Sequence, residues 1–239
     1  MTAELAREFV LLDFDGTLAP IVDDPASAVA TNGAREAIAR LVKCGVIVGL
    51  ISGRPIGFLD VACPEAPIRV GLYGLEWHHH GITHRHPDFD RWVSVVSEVA
   101  AGAISAGFRI EVKGPSLTAH FREMPQLRGV VEAWGAEQAE RTGLIVRPAR
   151  QSLELHPPIE VDKGSVVRQL VGEMSGSVLF AGDDLGDLPA FDALDELAEE
   201  GVDVTRVAVR SSESPAELLV RADVVVDGPG DLVELLDAF

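Results

Sequence analysis

The chain has 239 residues, enough for one sizeable domain or for a core with a modest insertion. Its 20 basic and 38 acidic residues give a formal net charge of −18, which argues against nucleic acid or an anionic membrane surface as a partner. Cys44 and Cys63 lie in no metal-binding or redox spacing, and the longest apolar runs are only strand-length. These features predict a cytoplasmic protein whose partner is a small molecule, and they leave its oligomeric state open.

The first predicted strand ends in two carboxylates. The apolar run from Glu8 to Leu12 is followed by Asp13 and Asp15, and then by the turn residues Gly16 and Thr17. Because side chains alternate along a strand, both aspartates project the same way past its carboxyl end, where open α/β sheets bind ligands. Such a pair can divide nucleophilic attack and proton transfer between two groups. A polar turn that closes a buried strand explains this segment alone equally well.

Three further polar segments follow along the chain. They are Ser52-Gly53-Arg54 after the apolar run Val46 to Ile51, Asp162-Lys163-Gly164 at the start of an amphipathic stretch that reaches Met174, and Gly182 to Asp187 after the apolar run Ser177 to Ala181. Each by itself fits a turn, a solvated lysine or a helix cap. Together they supply a hydroxyl, a cation and an acidic pocket that could hold a metal ion.

Strands and helices alternate on either side of a different central region. A helix over Gly33 to Lys43 follows the first strand, and a helix from Lys163 follows the central region. The later elements are strand Ser177 to Ala181, helix Leu188 to Glu199, strand Arg206 to Val209, helix Pro215 to Val220, strand Asp223 to Val226 and helix Asp231 to Ala238. This alternation predicts an α/β fold with a parallel sheet and helices on both faces.

The central region repeats a helix followed by two strands. The helices are predicted near Phe89 to Ile104 and Leu127 to Trp134. The first helix is followed by two strands on either side of the turn Lys113-Gly114-Pro115-Ser116. The second is followed by the strands Leu144–Arg147 and Ser152–His156, which are joined by another turn. We interpret residues 85–157 as an inserted αββαββ cap domain for substrate recognition, with residues 1–84 and 158–239 as the catalytic core. Alternation places Ser116, Thr118, His120 and Arg122 on one polar strand face. An ordinary solvated sheet face is the alternative.

The four polar segments resemble the haloacid dehalogenase superfamily of phosphotransferases. Asp13 and Asp15 match its first motif, Ser52 its second, Lys163 its third, and Asp183, Asp184 and Asp187 its fourth. The resemblance implies a Rossmann-like core. It also implies that Asp13, Asp15, Ser52 and Lys163 are catalytic, that Gly53 and Arg54 bind substrate, and that Asp13, Asp15, Asp183, Asp184 and Asp187 hold Mg²⁺.

The central region is similar to the trehalose-6-phosphate phosphatase family. The similarity rests on Glu111-x-Lys113, Ser116-Leu117, His120-x-Arg122, Leu153 to Pro157 running into Asp162-Lys163-Gly164, and Gly74-Leu75-Glu76. It implies that Lys113, Ser116, His120, Arg122 and Glu154 bind the substrate. The chain departs from the family pattern at His156, where arginine is usual, at Tyr73, where histidine is common, and at Gly186-Asp187-Leu188, where Thr-Asp-Glu is common.

These resemblances imply a Mg²⁺-dependent phosphatase that converts trehalose 6-phosphate to trehalose and phosphate through an aspartyl-phosphate intermediate. A phosphatase for another sugar or polyol phosphate, a phosphomutase and a non-catalytic sugar-phosphate sensor remain as alternatives. The histidines between His78 and His86 are interpreted as part of a hairpin and not as a transition-metal site.

Overall fold

The computed structural model describes residues 7–22, 24–149, 151–172, 176–212 and 214–238. These residues form two compact units. The first unit contains the described residues up to His84 and those from Val161 onward, and the second unit contains Arg85–Glu160. The sequence predicts an insertion over residues 85–157, and its role as a cap stays a prediction.

Strands and helices follow one another as numbered here. The strands are β1 (Arg7–Leu12), β2 (Ile47–Ile51), β3 (Ile68–Gly71), β4 (Glu76–His79), β5 (Ile82–Arg85), β6 (Arg109–Lys113), β7 (Ser116–His120), β8 (Ile145–Ala149), β9 (Ser152–His156), β10 (Gly176–Gly182), β11 (Asp203–Val209) and β12 (Val224–Val226). The helices are α1 (Ala34–Lys43), α2 (Ile56–Ala62), α3 (Phe89–Ser105), α4 (Arg128–Thr142), α5 (Lys163–Val171), α6 (Leu188–Glu199), α7 (Ala216–Arg221) and α8 (Pro229–Asp237).

The first unit is built on a sheet with the strand order β12-β11-β10-β1-β2-β3-β4-β5. Neighbouring strands from β12 to β3 pair in parallel, and β3 pairs with β4 antiparallel. Alternation along β1 turns Val10 and Leu12 toward a buried cluster with α1, α2 and α8, while Phe9 and Leu11 join a second cluster with α5, α6 and α7. Both faces of the sheet are therefore covered, which confirms the predicted α/β class.

The second unit is an antiparallel sheet with helices on one face. Its strand order is β6-β7-β9-β8. The apolar side chains Leu117 and Ala119 of β7, together with Leu153 and Leu155 of β9, pack with Trp92 and other residues of α3 and α4. The order of the elements confirms the predicted αββαββ arrangement.

Some boundaries differ from the predicted ones. Helix α5 ends at Val171 and is followed by Gly172 with a φ of 58°, whereas the predicted helix reached Met174, which lies outside the described residues. Helix α2 was not predicted, because seven residues are too few for a clear helical period. Among the described residues, no helix combines the length and the apolar character needed to cross a membrane.

Candidate active site

Asp13 lies at the carboxyl end of β1, the strand between β10 and β2. Its amide donates a hydrogen bond to the Ala181 carbonyl over 3.0 Å, so the parallel pairing with β10 continues past the last strand residue. This pairing brings Asp13 beside the turn that begins at Gly182. The Asp13 side chain is buried.

Three buried carboxylates meet at this edge of the sheet. Asp13, Asp183 and Asp187 each offer one oxygen, and these atoms lie within 4.8 Å of one another. Glycine makes the approach possible, because a methyl group on Gly16, whose φ is 83°, would collide with the Asp183 carboxylate. A methyl group on Gly182 would likewise collide with Asp187. The sequence analysis places Gly16 in a turn, but it does not predict that either glycine makes room for a carboxylate.

Lys163 joins two of these carboxylates. It is the first residue of α5, where the Asp162 side chain accepts the Ser165 amide over 2.8 Å and caps the helix. The Lys163 Nζ atom donates to Asp13 Oδ1 over 2.7 Å and to Asp187 Oδ1 over 2.6 Å. The helix start therefore fixes a buried ammonium group between the first and fourth motifs.

The electrostatics of this cluster follow from burial and close charges. The carboxylates of Asp13 and Asp187 outweigh the desolvation of Lys163, so the pKa of Lys163 lies well above its usual value and the group stays charged. Burial, opposed by the Lys163 cation, raises the pKa of Asp13 well above its ordinary value. The Lys163 ammonium is thus held between two buried carboxylates, those of Asp13 and Asp187.

Asp187 and Asp184 have different local roles. One oxygen of Asp187 contacts Lys163, and the other accepts the amides of Asp183 and Asp184 over 2.8 and 3.0 Å. Asp187 therefore holds both the lysine and the turn that carries the fourth motif. Asp184 is exposed, and its side chain accepts the Gly186 amide over 2.7 Å, which caps a short 3₁₀ turn. Asp184 is not part of the three-carboxylate cluster.

Asp15 and Arg54 form a bidentate ion pair. Arg54 Nε donates to Asp15 Oδ2 and Arg54 Nη2 donates to Asp15 Oδ1, each over 2.6 Å. Ser52 is buried at the end of β2, and its hydroxyl accepts the Arg54 amide over 3.2 Å. The Arg54 side chain thus contacts Asp15, a predicted catalytic carboxylate.

Gly53 lies against the turn at Leu72–Gly74, which overlaps the Gly74-Leu75-Glu76 element noted in the sequence. A Cβ atom on Gly53 would be 2.7 Å from the Tyr73 hydroxyl oxygen. Leu72 and Tyr73 have φ values of 51° and 58°, which are strained for residues with side chains. The Tyr73 amide donates to the Ser52 carbonyl over 3.0 Å. Neither Leu nor Tyr favours this conformation, so the sequence carries no local signal for these backbone angles.

Glu76 supports the same loop. The buried carboxylate of Glu76 accepts the amide of Ile56, the first residue of α2, over 3.0 Å. Gly71 passes so close to this loop that a Cβ atom would lie 2.7 Å from the Arg54 carbonyl oxygen. The Gly-x-Glu element noted in the sequence therefore helps to hold the Ser52-Gly53-Arg54 loop in place.

The predicted substrate-binding residues of the second unit lie mostly on the sheet face away from α3 and α4. Glu111 Oε2 is 3.1 Å from His120 Nε2 and 3.6 Å from Lys113 Nζ. Burial raises the pKa of Glu154, although the cations of Lys113 and Arg147 and a hydrogen bond from Ser116 oppose the shift. Arg122 is exposed in the turn after β7.

His156 is a buried histidine on the same strand as Glu154. Burial, and to a lesser degree the Arg147 cation, lowers the pKa of His156 to about 4. Its Nε2 atom has no hydrogen-bond partner among the described residues. The usual arginine of the resembled family is thus replaced by a group that is neutral at neutral pH.

The histidine-rich segment forms the predicted hairpin. Strands β4 and β5 contain His78, His79 and His84, and the rings of His79 and His80 stack with centroids 3.9 Å apart. In the part of the chain that the structure describes, only Asp13, Asp183 and Asp187 form a group of three possible metal ligands.

Comparison with solved structures defines the fold class. A haloacid dehalogenase-like hydrolase from Bacteroides thetaiotaomicron superposes with a TM-score of 0.68 at 17% identity, over 97% of this chain and 99% of that one. A trehalose-6-phosphate phosphatase related protein gives a TM-score of 0.78 at 24% identity, over 97% and 96% of the two chains. These likenesses show a haloacid dehalogenase-like fold.

Sequence comparison identifies the family within that class. A model of the trehalose-phosphatase family matches residues 11–225, and the chain belongs to this family. The trehalose-phosphate phosphatase of Mycobacterium ulcerans strain Agy99 is 34% identical over 212 residues, which cover 79% of this chain and 52% of that protein. The chain spans about half the length of this and another curated mycobacterial relative that it matches.

Proposed function

We propose that the chain is a Mg²⁺-dependent phosphatase that hydrolyses trehalose 6-phosphate to trehalose and phosphate. One observation carries the proposal: the buried Lys163 ammonium contacts both Asp13 and Asp187, beside Asp183. A cation and several carboxylates at the carboxyl edge of a parallel sheet suit phosphoryl transfer, in which positioning and charge stabilisation supply most of the catalysis. The named activity of the relatives supports the same substrate class.

The chemistry assigned to the residues is a double displacement. An Asp13 carboxylate oxygen attacks phosphorus while the bond to the sugar oxygen breaks, and Asp15 gives that oxygen a proton. Asp15 then takes a proton from water as the water oxygen attacks phosphorus and the bond to Asp13 breaks. Lys163, the Ser52 hydroxyl and the Gly53 amide stabilise the phosphoryl oxygens.

The acidic cluster fits Mg²⁺. Its donors are the hard carboxylate oxygens of Asp13, Asp183 and Asp187, the ligand type that Mg²⁺ prefers. Asp13, Asp183 and the backbone carbonyl of Asp15 would hold the ion, while Asp187 acts mainly on Lys163 and the turn. When bound, Mg²⁺ would neutralise charge that develops on the phosphoryl oxygens.

The second unit is assigned to sugar recognition. Its sheet carries Glu111 within ion-pair distance of both Lys113 and His120, and Glu154 on a neighbouring strand. Charged and polar groups of this kind bind sugar hydroxyls and phosphate oxygens.

We also infer a cytoplasmic location, as the sequence predicts.

A phosphatase for a different sugar phosphate is the second candidate. Two observations favour it: the buried Nε2 of His156 has no hydrogen-bond partner among the described residues, and Tyr73 at Gly53 is strained. Both residues stand at positions where the chain departs from the family pattern. The core chemistry would be the same under either candidate.

The test is phosphate release from a panel of sugar phosphates, with Mg²⁺ and with EDTA. We expect trehalose 6-phosphate to be the best substrate and EDTA to abolish release. Asp13→Asn should abolish turnover without unfolding the protein, because an amide is a poor nucleophile, whereas Asp203→Asn at an exposed position of β11 should have no effect. Normal turnover by the Asp13 variant would refute the mechanism, and a different best sugar would favour the second candidate.

A further inference from the structure

The Arg54 side chain is held in place by several groups of the first unit. Besides its two contacts with Asp15, Arg54 Nη1 donates to the Pro25 carbonyl over 2.8 Å. The guanidinium carbon lies 4.4 Å from the centre of the Phe58 ring, which packs edge-on against Phe14 at 5.3 Å between ring centres. The Arg54 side chain is 11% exposed, and that of Asp15 is 32% exposed.

The backbone of Arg54 is equally constrained. Its amide donates to the Ser52 hydroxyl over 3.2 Å, and its carbonyl accepts the Leu72 amide over 3.0 Å. With both ends fixed, the planar guanidinium presents its fork to Asp15 in one orientation. Lysine could not reproduce this arrangement, because an ammonium group is a point charge without fork geometry.

We infer that Arg54 is a positioning residue that acts through Asp15, and that it does not grip the phosphoryl group itself. This inference rests on the proposed phosphatase function and refines it. Asp15 must present one oxygen to the leaving group and later to water, which requires a fixed carboxylate orientation. Each Asp15 oxygen accepts one Arg54 N–H and has a second lone pair that can carry the proton, so both contacts can hold the carboxylate during the transfer. The Pro25 carbonyl and the Phe58 ring keep the guanidinium in place throughout.

The two possible roles of Arg54 predict different kinetics. A cation that grips the phosphoryl group acts on every phosphate monoester alike, since all carry the same group. A residue that positions the proton donor matters most when the departing oxygen is strongly basic, as in an alkyl or sugar ester. It matters little for p-nitrophenyl phosphate, whose leaving group departs without a proton.

The experiment measures kcat/KM for a series of aryl and alkyl phosphate monoesters that differ in the basicity of the leaving group. We expect Arg54→Ala to lose about tenfold to a hundredfold on alkyl esters and less than about threefold on p-nitrophenyl phosphate. Its plot of log kcat/KM against leaving-group basicity should be steeper than that of the wild type and approach that of Asp15→Asn. Arg54→Lys should stay close to Arg54→Ala, and it serves as the second variant if the alanine variant folds poorly.

Two comparisons complete the experiment. The double variant Asp15→Asn/Arg54→Ala should be no slower than Asp15→Asn alone, because Arg54 acts through the lost carboxylate. Arg35→Ala is the matched control, because Arg35 makes a similar bidentate pair with Glu65 at an exposed site, and it should leave the plot unchanged. Equal losses on all esters, or additive losses in the double variant, would overturn the inference while leaving the phosphatase proposal intact. A wild type that releases phosphate from no ester would overturn both.

Discussion

Gly16 is the residue on which the packing of the acidic cluster depends most directly. Its φ of 83° disfavours any side chain, and a Cβ atom would collide with Asp183. We predict that Gly16→Ala lowers phosphate release by about a hundredfold or more, because Asp183 must move away from Asp13. The measurement is steady-state phosphate release at saturating substrate.

Gly45→Ala separates backbone strain from the collision. Gly45 has a similar φ of 93°, but no atom of the described residues lies within 4 Å of a Cβ atom placed there. We expect this control to lose roughly 1 kcal/mol of stability and no activity. If the two variants lost activity equally, the packing of Gly16 against Asp183 would not be the cause.

His156 makes folding sensitive to mild acid. In the unfolded chain a histidine takes up a proton near pH 6.5, whereas burial keeps folded His156 neutral down to a pKa of about 4. The unfolded state therefore binds more protons as the pH falls from 6.5 toward 4, and stability is lost over that range. Glutamine is neutral at every pH. We therefore predict that, between pH 7 and pH 5, the free energy of unfolding of the His156→Gln variant falls by about 2 kcal/mol less than that of the wild type.

Urea unfolding at several pH values measures this difference. The exposed His84→Gln variant is the matched control and should follow the wild type. If the free energy of unfolding depended on pH in the same way for the wild type and for His156→Gln, His156 would take up its proton equally in the folded and unfolded states. The prediction would then be wrong.

The hairpin of β4 and β5 contains a turn whose first residue is poorly suited to it. His80 and Gly81 join the strands with φ values of 52° and 76°, the pattern of a type I′ turn, for which Asn-Gly is preferred. We predict that His80→Asn stabilises the protein by about 0.5 kcal/mol, since asparagine tolerates the left-handed conformation better and the lost stacking on exposed His79 is worth little.

The urea midpoint at neutral pH tests this prediction. His84→Asn introduces the same residue into the middle of β5, where asparagine is unfavourable, and should lower the midpoint slightly. A lower midpoint for His80→Asn would mean that the stacking of His79 and His80 outweighs the strain of the turn.

Helices and strands whose apolar residues recur with a clear period are predicted from the sequence, and those without such a period are not. The alternation after Lys163 and the αββαββ order are confirmed, because each helix or strand buries one regular face. The short helix α2 and the left-handed pair Leu72–Tyr73 carry no such signal. The fourth-motif aspartates are alike in sequence, and only the tertiary contacts separate buried Asp187 from exposed Asp184. The pairing of Arg54 with Asp15 likewise depends on contacts between distant segments, which spacing alone does not determine.

Chemistry and recognition are assigned to different units of the molecule. The candidate nucleophile and metal ligands belong to the first unit, which has its own apolar clusters, and the sugar-binding candidates belong to the second, which has another. A chain with a net charge of −18 needs local cations to attract a phosphate ester, and under the proposed function Lys113 and Arg147 would supply them on the second unit.

This division predicts that changes in the second unit affect substrates selectively. We expect Lys113→Ala and Glu154→Ala to lower kcat/KM for trehalose 6-phosphate roughly ten- to a hundredfold, the effect of losing a charged hydrogen bond of about 1.5 to 3 kcal/mol. The same variants should lose far less on p-nitrophenyl phosphate, which has no sugar to bind. Glu137→Ala, at an exposed position of α4, is the matched control and should change neither value. Equal losses on both substrates would mean that Lys113 and Glu154 stabilise the second unit and do not recognise the sugar. Equal wild-type kcat/KM on both would mean that the second unit does not recognise trehalose.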